Sequence, residues 1–329
     1  MLAIEAIGLT KHFGPDIRAV DGIDLAVEEG QIFGFLGQNG SGKTTTVRML
    51  TTLLKPTAGT ARVAGLDVQR EPAAVRRRVG VALQEVGLDE LQTGRELLVL
   101  QGRLFGLSAA AARERANQLL EVVGLSDAAD RPVQGYSGGM KRRLDLACAL
   151  VNEPRVVFLD EPTTGLDPIS REAVWRYVEV LNRERGVTFF LTTQYLEEAD
   201  RLAHTVAIME RGRIVAAGSP AELKASIGAD AVTLTFEDEA AAMRGEATLG
   251  RFEGVQRVLR TGNEVAVYLA NGAAAVAAIV RALDDAGAPA QSLVLQQPTL
   301  DDVFLQVTGH HLEAVQVPTP VGTQRGGTR

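Results

Sequence analysis

Three short apolar runs mark the first two thirds of the chain, and a helical pattern follows each of them. The runs occupy residues 32–36, 156–159 and 187–193. Apolar runs of this length, bounded by glycine or acidic residues, are typical of strands buried on both faces. Pro168 directly after Asp167 marks the start of one of the helices. The alternation predicts strand–helix–strand units around a largely parallel sheet, which is an α/β fold.

A longer helical pattern separates the first two runs. Residues 93–123 are rich in Ala, Leu, Arg and Glu and contain no comparable strand signal. This composition favours helices. We therefore expect an inserted helical subdomain that extends over about residues 85–150, within a first domain of residues 1–227.

The pattern changes after residue 227. Ser219 and Glu222 form a capping box with Pro220 at the first helical position, which predicts a short helix that ends near Gly228. Beyond it we expect strands at 231–237, 255–259, 264–269 and 292–295, with a helical run after the first strand and a helix at 271–286. This β-α-β-β-α-β order predicts a small α+β, ferredoxin-like domain over residues 228–309.

The end of the chain carries two further signals. Thr299 and Asp302 are placed to cap a last helix. Residues 310–329 are rich in proline and glycine and poor in apolar side chains, so we expect a disordered tail. The pair His310–His311 in this tail could bind a metal adventitiously, but neither it nor the other histidines lies in a metal-ligand pattern.

Composition narrows the classes of function. The chain has 329 residues, a hydrophobic fraction of 46% and a net charge of −7. The negative charge argues against a nucleic-acid binder, although mild acidity also simply favours solubility. Cys148 is the single cysteine, which excludes an internal disulfide and fits a reducing cytosol. No signal peptide and no run near the roughly 18 apolar residues of a membrane span is seen, so a transport role requires a pore on another polypeptide.

A glycine-rich loop follows the first strand run and precedes a helix. It matches the phosphate-binding loop at every specified position and consists of Gly37, Gln38, Asn39, Gly40, Ser41, Gly42, Lys43 and Thr44, followed by Thr45. The glycines let backbone N–H groups point at phosphate oxygens, and the helix adds its positive end. Lys43 is expected to reach the β- and γ-phosphates of ATP, and the Thr44 hydroxyl to ligate Mg²⁺.

Two acidic residues end the second strand run. Asp160 and Glu161 follow residues 156–159 directly. A carboxylate at the tip of a buried strand lies beside the phosphate loop in this fold, so Asp160 is expected to hold Mg²⁺ directly or through water. Glu161 is placed to polarise the attacking water as a general base. These two motifs together predict a nucleotide hydrolase.

The segment Tyr-Ser-Gly-Gly-Met-Lys-Arg at residues 136–142 resembles the signature sequence of ABC ATPases. The resemblance covers about residues 2–225, and the motifs occur in the order of that family. It implies that Ser137, Gly138 and Gly139 bind the γ-phosphate held by an opposite subunit, because free N–H groups at a helix start attract anions. The resemblance thus implies a head-to-tail homodimer that encloses two ATP molecules.

Three further residues match positions that have known roles in the family that the chain resembles. Phe13 falls where an aromatic ring stacks on adenine, although it could instead pack against the sheet. Gln84 matches the glutamine that contacts Mg²⁺ or its water, and its neighbours are expected to face a membrane partner. Asp167 matches the loop that crosses the dimer interface.

Two positions depart from the family pattern. Gln194 stands where a histidine normally contacts the γ-phosphate. An amide can donate a hydrogen bond but cannot carry a positive charge near neutral pH, so we expect slow hydrolysis with Glu161 still acting as base. Met140 stands where glutamine is common, and we expect little loss because the donors before it are intact.

The C-terminal region narrows the resemblance further. Residues 297–305 and the small domain before them resemble ATP-binding subunits of the daunorubicin-resistance type, and so does Gln194 in its segment. The resemblance implies an ATPase on the cytoplasmic face of the cell membrane that drives export of drugs, antibiotics or other hydrophobic compounds through separate integral membrane permeases. Lipid or polysaccharide cargoes stay open, because such features also mark a broad exporter branch.

Other classes of ABC ATPase fit less well. Ribosome-acting members usually hold two ATPase halves in one chain, and DNA-repair members have long coiled-coil insertions, neither of which is present. A regulatory nucleotide binder that scarcely hydrolyses ATP stays open because of Gln194. Import is the nearest alternative within transport, and the C-terminal domain argues against it.

Overall fold

The computed structural model describes residues 1–84, 87–227, 230–296 and 298–309. Its central layer contains six strands: β3 (Ile32–Leu36), β6 (Val79–Ala82), β7 (Val156–Asp160), β8 (Thr188–Thr193), β9 (Thr205–Glu210) and β10 (Arg213–Gly218). They are ordered β10-β9-β3-β8-β7-β6, and every neighbouring pair is parallel except β9 with β10. The three strand runs predicted from the sequence are confirmed, and they lie side by side. Their carboxyl ends therefore meet at one edge, where ligands bind in such sheets.

An antiparallel sheet covers one face of this layer. It is ordered β2-β1-β4-β5, with β1 (Leu2–Phe13), β2 (Ile17–Glu28), β4 (Ala58–Val63) and β5 (Leu66–Asp67). The space between the two sheets also holds α1 (Lys43–Leu50) and is filled by fully buried side chains, among them Ile4, Leu9, Val27, Phe35, Phe158 and Phe190. Phe33 and Phe190 stack with ring centroids 5.3 Å apart. Our sequence prediction did not include this second sheet.

Helices cover the opposite face of the central layer. They are α3 (Gly94–Leu104), α4 (Ala109–Val122), α5 (Gly138–Ala149) and α6 (Pro168–Arg185). Thr93 and Glu96 form a capping box at the start of α3, which fixes where the helix begins. Leu98, Leu120, Leu144 and Trp175 from these helices pack with Phe189 of β8. The helical stretch predicted at residues 93–123 is therefore confirmed.

Three short helices complete the larger unit: α2 (Pro72–Arg78), α7 (Leu196–Leu202) and α8 (Pro220–Ile227). The capping box of α8 is present, because Ser219 and Glu222 each accept a hydrogen bond from the other's backbone N–H. The predicted end of this helix near Gly228 lies outside the described residues. In the part of the chain that the structure describes, no helix is long and apolar enough to cross a bilayer.

The C-terminal elements form a separate small sheet. They are β11 (Asp230–Thr235), α9 (Glu239–Leu249), β12 (Val255–Thr261), β13 (Glu264–Leu269), α10 (Gly272–Asp285) and β14 (Ser292–Gln296). The strands are antiparallel in the order β12-β13-β11-β14. Alternate residues such as Val232, Leu234, Val265 and Val267 are buried in one cluster with residues of α9 and α10. The predicted β-α-β-β-α-β element order is confirmed.

The last helix returns to the larger unit. α11 (Leu300–Thr308) begins with the expected capping box of Thr299 and Asp302. Its buried side chains Leu300, Val303 and Phe304 pack in one cluster with residues of the larger unit: Leu36, Ala199, Ala203, Val206, Ile208 and Leu223. This packing ties the end of the described chain to the strand that precedes the phosphate loop. The predicted tail at residues 310–329 lies outside the described residues.

Candidate functional site

The phosphate loop joins β3 to α1 and is held in its path by two close backbone approaches. Gly42 has φ 112°, a left-handed conformation that favours glycine. A methyl group on Gly42 would overlap the carbonyl oxygen of Ala19, and one on Gly37 would overlap that of Met209. Both glycines are therefore required by packing, and the loop curls at the amino end of α1 as predicted.

Lys43 is the first residue of α1, and its side chain turns back over the loop. Its Nζ donates to the carbonyl oxygens of Gly37 at 2.7 Å and Gln38 at 3.0 Å. Nζ also lies 3.8 Å from Glu161 Oε1. Burial lowers the pKa of Lys43, and the nearby charges of Glu161 and Asp160 oppose that shift. The ammonium group is thus fixed where loop carbonyls and a carboxylate meet.

Asp160 is buried at the carboxyl end of β7. Its Oδ1 accepts from Thr192 Oγ1 at 2.5 Å and from Thr44 Oγ1 at 3.2 Å. Its other oxygen, Oδ2, is buried and has no hydrogen-bond partner among the described residues. A carboxylate oxygen without a partner, beside a threonine hydroxyl, fits a hard cation such as Mg²⁺ that prefers oxygen ligands.

Glu161 has an unusual backbone conformation. Its φ is 49°, which costs energy for a residue with a side chain. Its N–H donates to Thr192 O at 3.1 Å and to Thr192 Oγ1 at 3.0 Å. Oε2 accepts from Gln84 Nε2 at 3.4 Å and from Thr164 Oγ1 at 3.3 Å. The structure therefore brings Glu161 and Gln84 together beside Lys43.

Gln194 follows β8 at the same edge of the sheet. The preceding residue, Thr193, pairs with Leu36, and the N–H of Gly37 donates to the carbonyl of Thr193 at 3.4 Å. Gln194 is half-buried. The sheet register alone therefore places it beside the start of the phosphate loop.

Phe13 ends β1, opposite Ile17 of β2. Its side chain is 44% exposed, which differs from an aromatic ring packed into the core. Lys11 Nζ lies 5.2 Å from the centroid of the ring. The same β2 strand carries Ala19, whose carbonyl contacts Gly42, so the hairpin lies against the phosphate loop.

The signature segment begins helix α5. Ser137 is the N-cap, and its Oγ accepts from the N–H of Met140 at 3.3 Å. Ser137 and Gly138 are exposed, whereas Gly139 is buried against Ser170, whose Oγ a methyl group on Gly139 would overlap.

Asp167 caps helix α6 in the adjoining loop. Its carboxylate accepts from Ser170 Oγ at 2.6 Å and from Ser170 N at 3.0 Å. These hydrogen bonds lower the pKa of Asp167. Since Ser170 also contacts Gly139, the signature segment and the Asp167 loop form one packed unit.

Sequence reasoning missed several polar groups behind the site. Thr192 binds both Asp160 and Glu161, although the sequence marks it only as a polar residue at the end of a strand. Glu198 is fully buried; its Oε1 accepts from Trp175 Nε1 at 2.8 Å and Thr163 Oγ1 at 2.9 Å. Burial raises the pKa of Glu198. The adjacent pair Glu197–Glu198 in an otherwise amphipathic helix gave no signal for this role.

A cavity of about 540 Å³ opens beside the helical side of the sheet. Leu83, Leu97, Phe105, Asp145 and Cys148 are among its lining residues. Leu83 directly precedes Gln84 in the chain. The apolar side chains of Leu100, Leu104 and Phe105 on and after α3 are also exposed.

Comparison with known proteins gives two family matches. The model of the ABC transporter family matches residues 20–164. The model described as the C-terminal domain of DrrA1-3-like ATP-binding proteins matches residues 218–308. The two matches cover the phosphate loop, the signature segment and the small C-terminal sheet.

Curated relatives align along almost the whole chain. The daunorubicin resistance ATP-binding protein DrrA2 of Streptomyces coeruleorubidus is 46% identical over 94% of this chain and 96% of that protein. The daunorubicin/doxorubicin resistance ATP-binding protein DrrA of Streptomyces peucetius is 47% identical over 94% and 93%. The Nod factor export ATP-binding protein I of Paraburkholderia xenovorans is 42% identical over 94% and 98%.

Solved structures share the fold of the larger unit. The dimeric post-hydrolysis structure of the ATP-binding cassette MJ0796 with ADP and Pi has a TM-score of 0.61 at 26% identity, and covers 66% of this chain and 98% of that one. The family inferred from the signature segment is therefore confirmed. The chain belongs to the ATP-binding proteins of ABC transporters, which hydrolyse ATP to ADP and phosphate to drive transport, in the group that carries the DrrA1-3-like C-terminal domain.

Proposed function

We propose that this ATPase powers the efflux of drugs, antibiotics or other hydrophobic compounds through separate membrane permease subunits. One observation carries the proposal: the likeness to daunorubicin resistance ATP-binding proteins extends over the C-terminal domain as well as the ATPase unit. The ATPase unit alone would indicate transport but not the cargo, because transporters of many different cargoes share this unit.

Export of another cargo, such as a lipid or polysaccharide, is a second candidate. The 42% identity to Nod factor export ATP-binding protein I over nearly the whole chain favours it. Both candidates are exporters, and they differ only in what the permease admits.

ATP would bind across the phosphate loop. Backbone N–H groups of the loop and of the start of α1 would face the phosphates, and Lys43 would exchange its carbonyl partners for β- and γ-phosphate oxygens. The exposed ring of Phe13 offers a stacking surface for adenine. Its place on the hairpin that contacts Gly42 supports this assignment.

Mg²⁺ would be held by Thr44 and Asp160, with Gln84 reaching the ion or its water. The support is the buried, unpartnered Asp160 Oδ2 beside the Thr44 hydroxyl. When bound, the ion neutralises charge on the phosphates. Asp160 supplies the charge that retains it.

Glu161 would act as the general base for the attacking water. Its carboxylate lies between Gln84 and Lys43, and its strained backbone is fixed by two hydrogen bonds to Thr192. Gln194, at the end of β8, would donate an amide hydrogen bond to a γ-phosphate oxygen. It cannot supply the positive charge of a histidine, so hydrolysis is expected to be slow.

Two copies would assemble head to tail. Ser137 and Gly138 are exposed at the start of a twelve-residue helix, and Asp167 is exposed in the loop beside it. These groups could bind the γ-phosphate of a nucleotide held by a second copy. MJ0796, which shares the fold, was solved as a dimer. Hydrolysis would remove the bridging phosphate and let the copies separate.

The 540 Å³ cavity is our proposed docking place for the permease. Its apolar lining and the exposed Leu104 and Phe105 suit an apolar partner segment, and Leu83 joins the cavity to Gln84. Docking there would place the chain at the cytoplasmic face of the membrane. We also propose that the chain divides near residue 227 into an ATPase domain, with its helical subdomain at about 85–150, and an accessory domain at 228–309.

Phosphate release and self-association test the ATPase mechanism. Purified protein should release phosphate with Mg²⁺-ATP, and Glu161→Gln should slow release about a hundredfold or more while trapping an ATP-dependent dimer. Lys43→Ala, which cannot hold the phosphates, serves as the control that stays monomeric in light scattering. Equal phosphate release by parent and Glu161→Gln would favour a regulatory nucleotide binder instead.

Drug accumulation tests the cargo. Susceptible cells would express the chain with a candidate six-helix membrane subunit, and intracellular doxorubicin would be followed by its fluorescence. We expect lower accumulation with the parent than with Glu161→Gln at equal protein levels. Equal accumulation, with ATP hydrolysis intact, would contradict drug export and leave the second candidate.

A further inference from the structure

One buried arginine lies between the signature helix α5 and the catalytic loops. Arg142 is only 5% exposed, although arginine is among the residues least often buried. It stands one turn into α5, on the face turned towards the sheet. A buried guanidinium group is retained only where its N–H groups find partners.

The partners of Arg142 come from three segments of the chain. Its Nε donates to Pro162 O at 2.8 Å, and its Nη2 donates to Asp160 O at 3.0 Å. Its Nη1 donates to Leu83 O at 2.6 Å and to Asp145 Oδ2 at 3.0 Å. The four bonds use the planar fork of the guanidinium group, which presents donors in fixed directions.

The carbonyl groups of this set flank the catalytic residues. Asp160 and Pro162 stand immediately before and after Glu161, and Leu83 immediately precedes Gln84. Glu161 and Gln84 meet at 3.4 Å. One side chain of the signature helix therefore holds both backbone segments that present this pair.

Asp145 balances the buried charge. It lies one turn further along α5, and its side chain is 14% exposed where it lines the cavity. Burial lowers the pKa of Arg142 and raises that of Asp145 to about 6, against their mutual attraction. The pair thus costs desolvation, and the three carbonyl bonds offset that cost.

We propose that Arg142 is a positioning residue for ATP hydrolysis: its guanidinium group keeps the Glu161 loop and the Gln84 segment in register with the signature helix. Glu161 needs this support because its backbone φ of 49° is unfavourable without outside contacts. A lysine ammonium is a single point of donors and cannot span Leu83, Asp160 and Pro162 in one plane.

Steady-state kinetics of Arg142→Lys test the proposal. We expect kcat to fall at least about tenfold while KM for ATP changes by less than about threefold, because the phosphate loop is untouched. Unchanged kcat, or a loss confined to KM, would overturn the assignment.

Arg115→Lys is the matched control. Arg115 also donates to two backbone carbonyls, of Leu150 and Val151, and pairs with Glu153, but none of these residues adjoins the catalytic group. It should lose comparable stability with kcat within about twofold of the parent. If kcat fell equally in both variants, the effect of Arg142→Lys would be explained by general destabilisation, and the positioning role would be rejected.

A double-mutant cycle with Glu161→Gln separates positioning from structure. If Arg142 acts through Glu161, Arg142→Lys should scarcely lower the residual single-turnover rate of the Glu161→Gln protein. A further loss as large as in the parent would contradict the proposal.

The double variant Arg142→Met/Asp145→Leu tests the proposal in case Arg142→Lys does not fold. Replacing a buried ion pair by apolar residues of similar volume is often neutral for stability. The double variant should melt near the parent temperature and still show the low kcat. Parental kcat in that well-folded protein would also contradict the role.

Discussion

Thr192 shows how one hydroxyl group can join the proposed metal ligand Asp160 to the proposed general base Glu161. Its Oγ1 donates to Asp160 Oδ1 and accepts from the N–H of Glu161. The same residue's carbonyl accepts from that N–H as well. Thr192 is fully buried, so no water replaces these bonds when they are lost.

We therefore expect Thr192→Val, which keeps the shape and removes the hydroxyl, to lower kcat by tenfold or more on the scale of about 1–3 kcal/mol per buried polar group. Phosphate release at saturating ATP measures it. Thr188→Val is the control, because Thr188 Oγ1 accepts from Gly30 N at the other end of β8. That variant should lose stability but keep kcat, and equal losses of kcat would refute the local role.

Gln194 gives a second residue-scale prediction. Gln194→Ala should lower turnover more than ATP affinity, because one amide hydrogen bond is a small part of ATP binding but would act directly on the γ-phosphate that is cleaved. Nucleotide titration and phosphate release on the same sample separate the two effects. Equal turnover in variant and parent would remove Gln194 from the mechanism.

Asp145 should make stability depend on pH. Burial raises its pKa from 3.8 to about 6 in the folded protein. Because the folded state binds this proton more tightly than the unfolded state, protonation of Asp145 stabilises the folded protein. The stabilisation is complete below about pH 4 and is lost as pH rises through about 6. As pH rises from 4.5 to 7.5, the free energy of unfolding of Asp145→Asn should therefore increase by roughly 1–3 kcal/mol relative to that of the parent. Urea unfolding at each pH measures this difference. A constant difference across that range would contradict the shifted pKa.

Among the elements, α11 stands out because it packs away from its neighbours in sequence. Its Phe304 is fully buried with Ala199 of α7 and with Leu36, the residue before the phosphate loop. α7 begins two residues after Gln194. The last described helix thus supports the strand before the phosphate loop and the helix that follows Gln194.

Phe304→Ala should destabilise the protein by about 3–5 kcal/mol, the usual range for an aromatic ring lost from a core. Chemical denaturation measures the change. Val307→Ala, on the same helix but 36% exposed, should stay within about 0.5 kcal/mol. Similar values for both would mean that α11 is not held by this cluster.

At the scale of the whole molecule, we expect the C-terminal region either to reinforce the proposed dimer or to regulate it. Deletion of the residues after Ile227 should weaken ATP-dependent self-association of the Glu161→Gln protein. Analytical ultracentrifugation would measure the shift. An unchanged dimer would reject the idea.

A second variant is needed as a control, because the deletion also removes α11 and exposes Leu223 and Ala199, which pack against it. This variant should replace residues 230–296 by a flexible Gly/Ser linker and retain α11. If only the full deletion weakens the dimer, the effect belongs to α11 and not to the small sheet.

The sequence predicted three of the six central strands because β3, β7 and β8 are buried on both faces and consist mainly of apolar residues. It did not predict the antiparallel sheet, although Ile23, Leu25 and Val27 alternate with exposed residues along β2. Such a one-sided strand has a weaker signal than a continuous apolar run. The capping boxes at Ser219 and Thr299 act within one turn of helix, and so these helix starts could be located from local sequence.

Sequence alone determined the family of this protein and the candidate site residues, because the phosphate loop, Asp160 and Glu161, and the signature segment each consist of residues that are adjacent in the chain. Only the tertiary structure decided what supports them. Arg142, Thr192 and Phe304 act on backbone or side chains that are distant in sequence, and burial, not spacing, gives their contacts strength. The sequence therefore shows where these three residues stand in the chain, but it does not show which residues they contact.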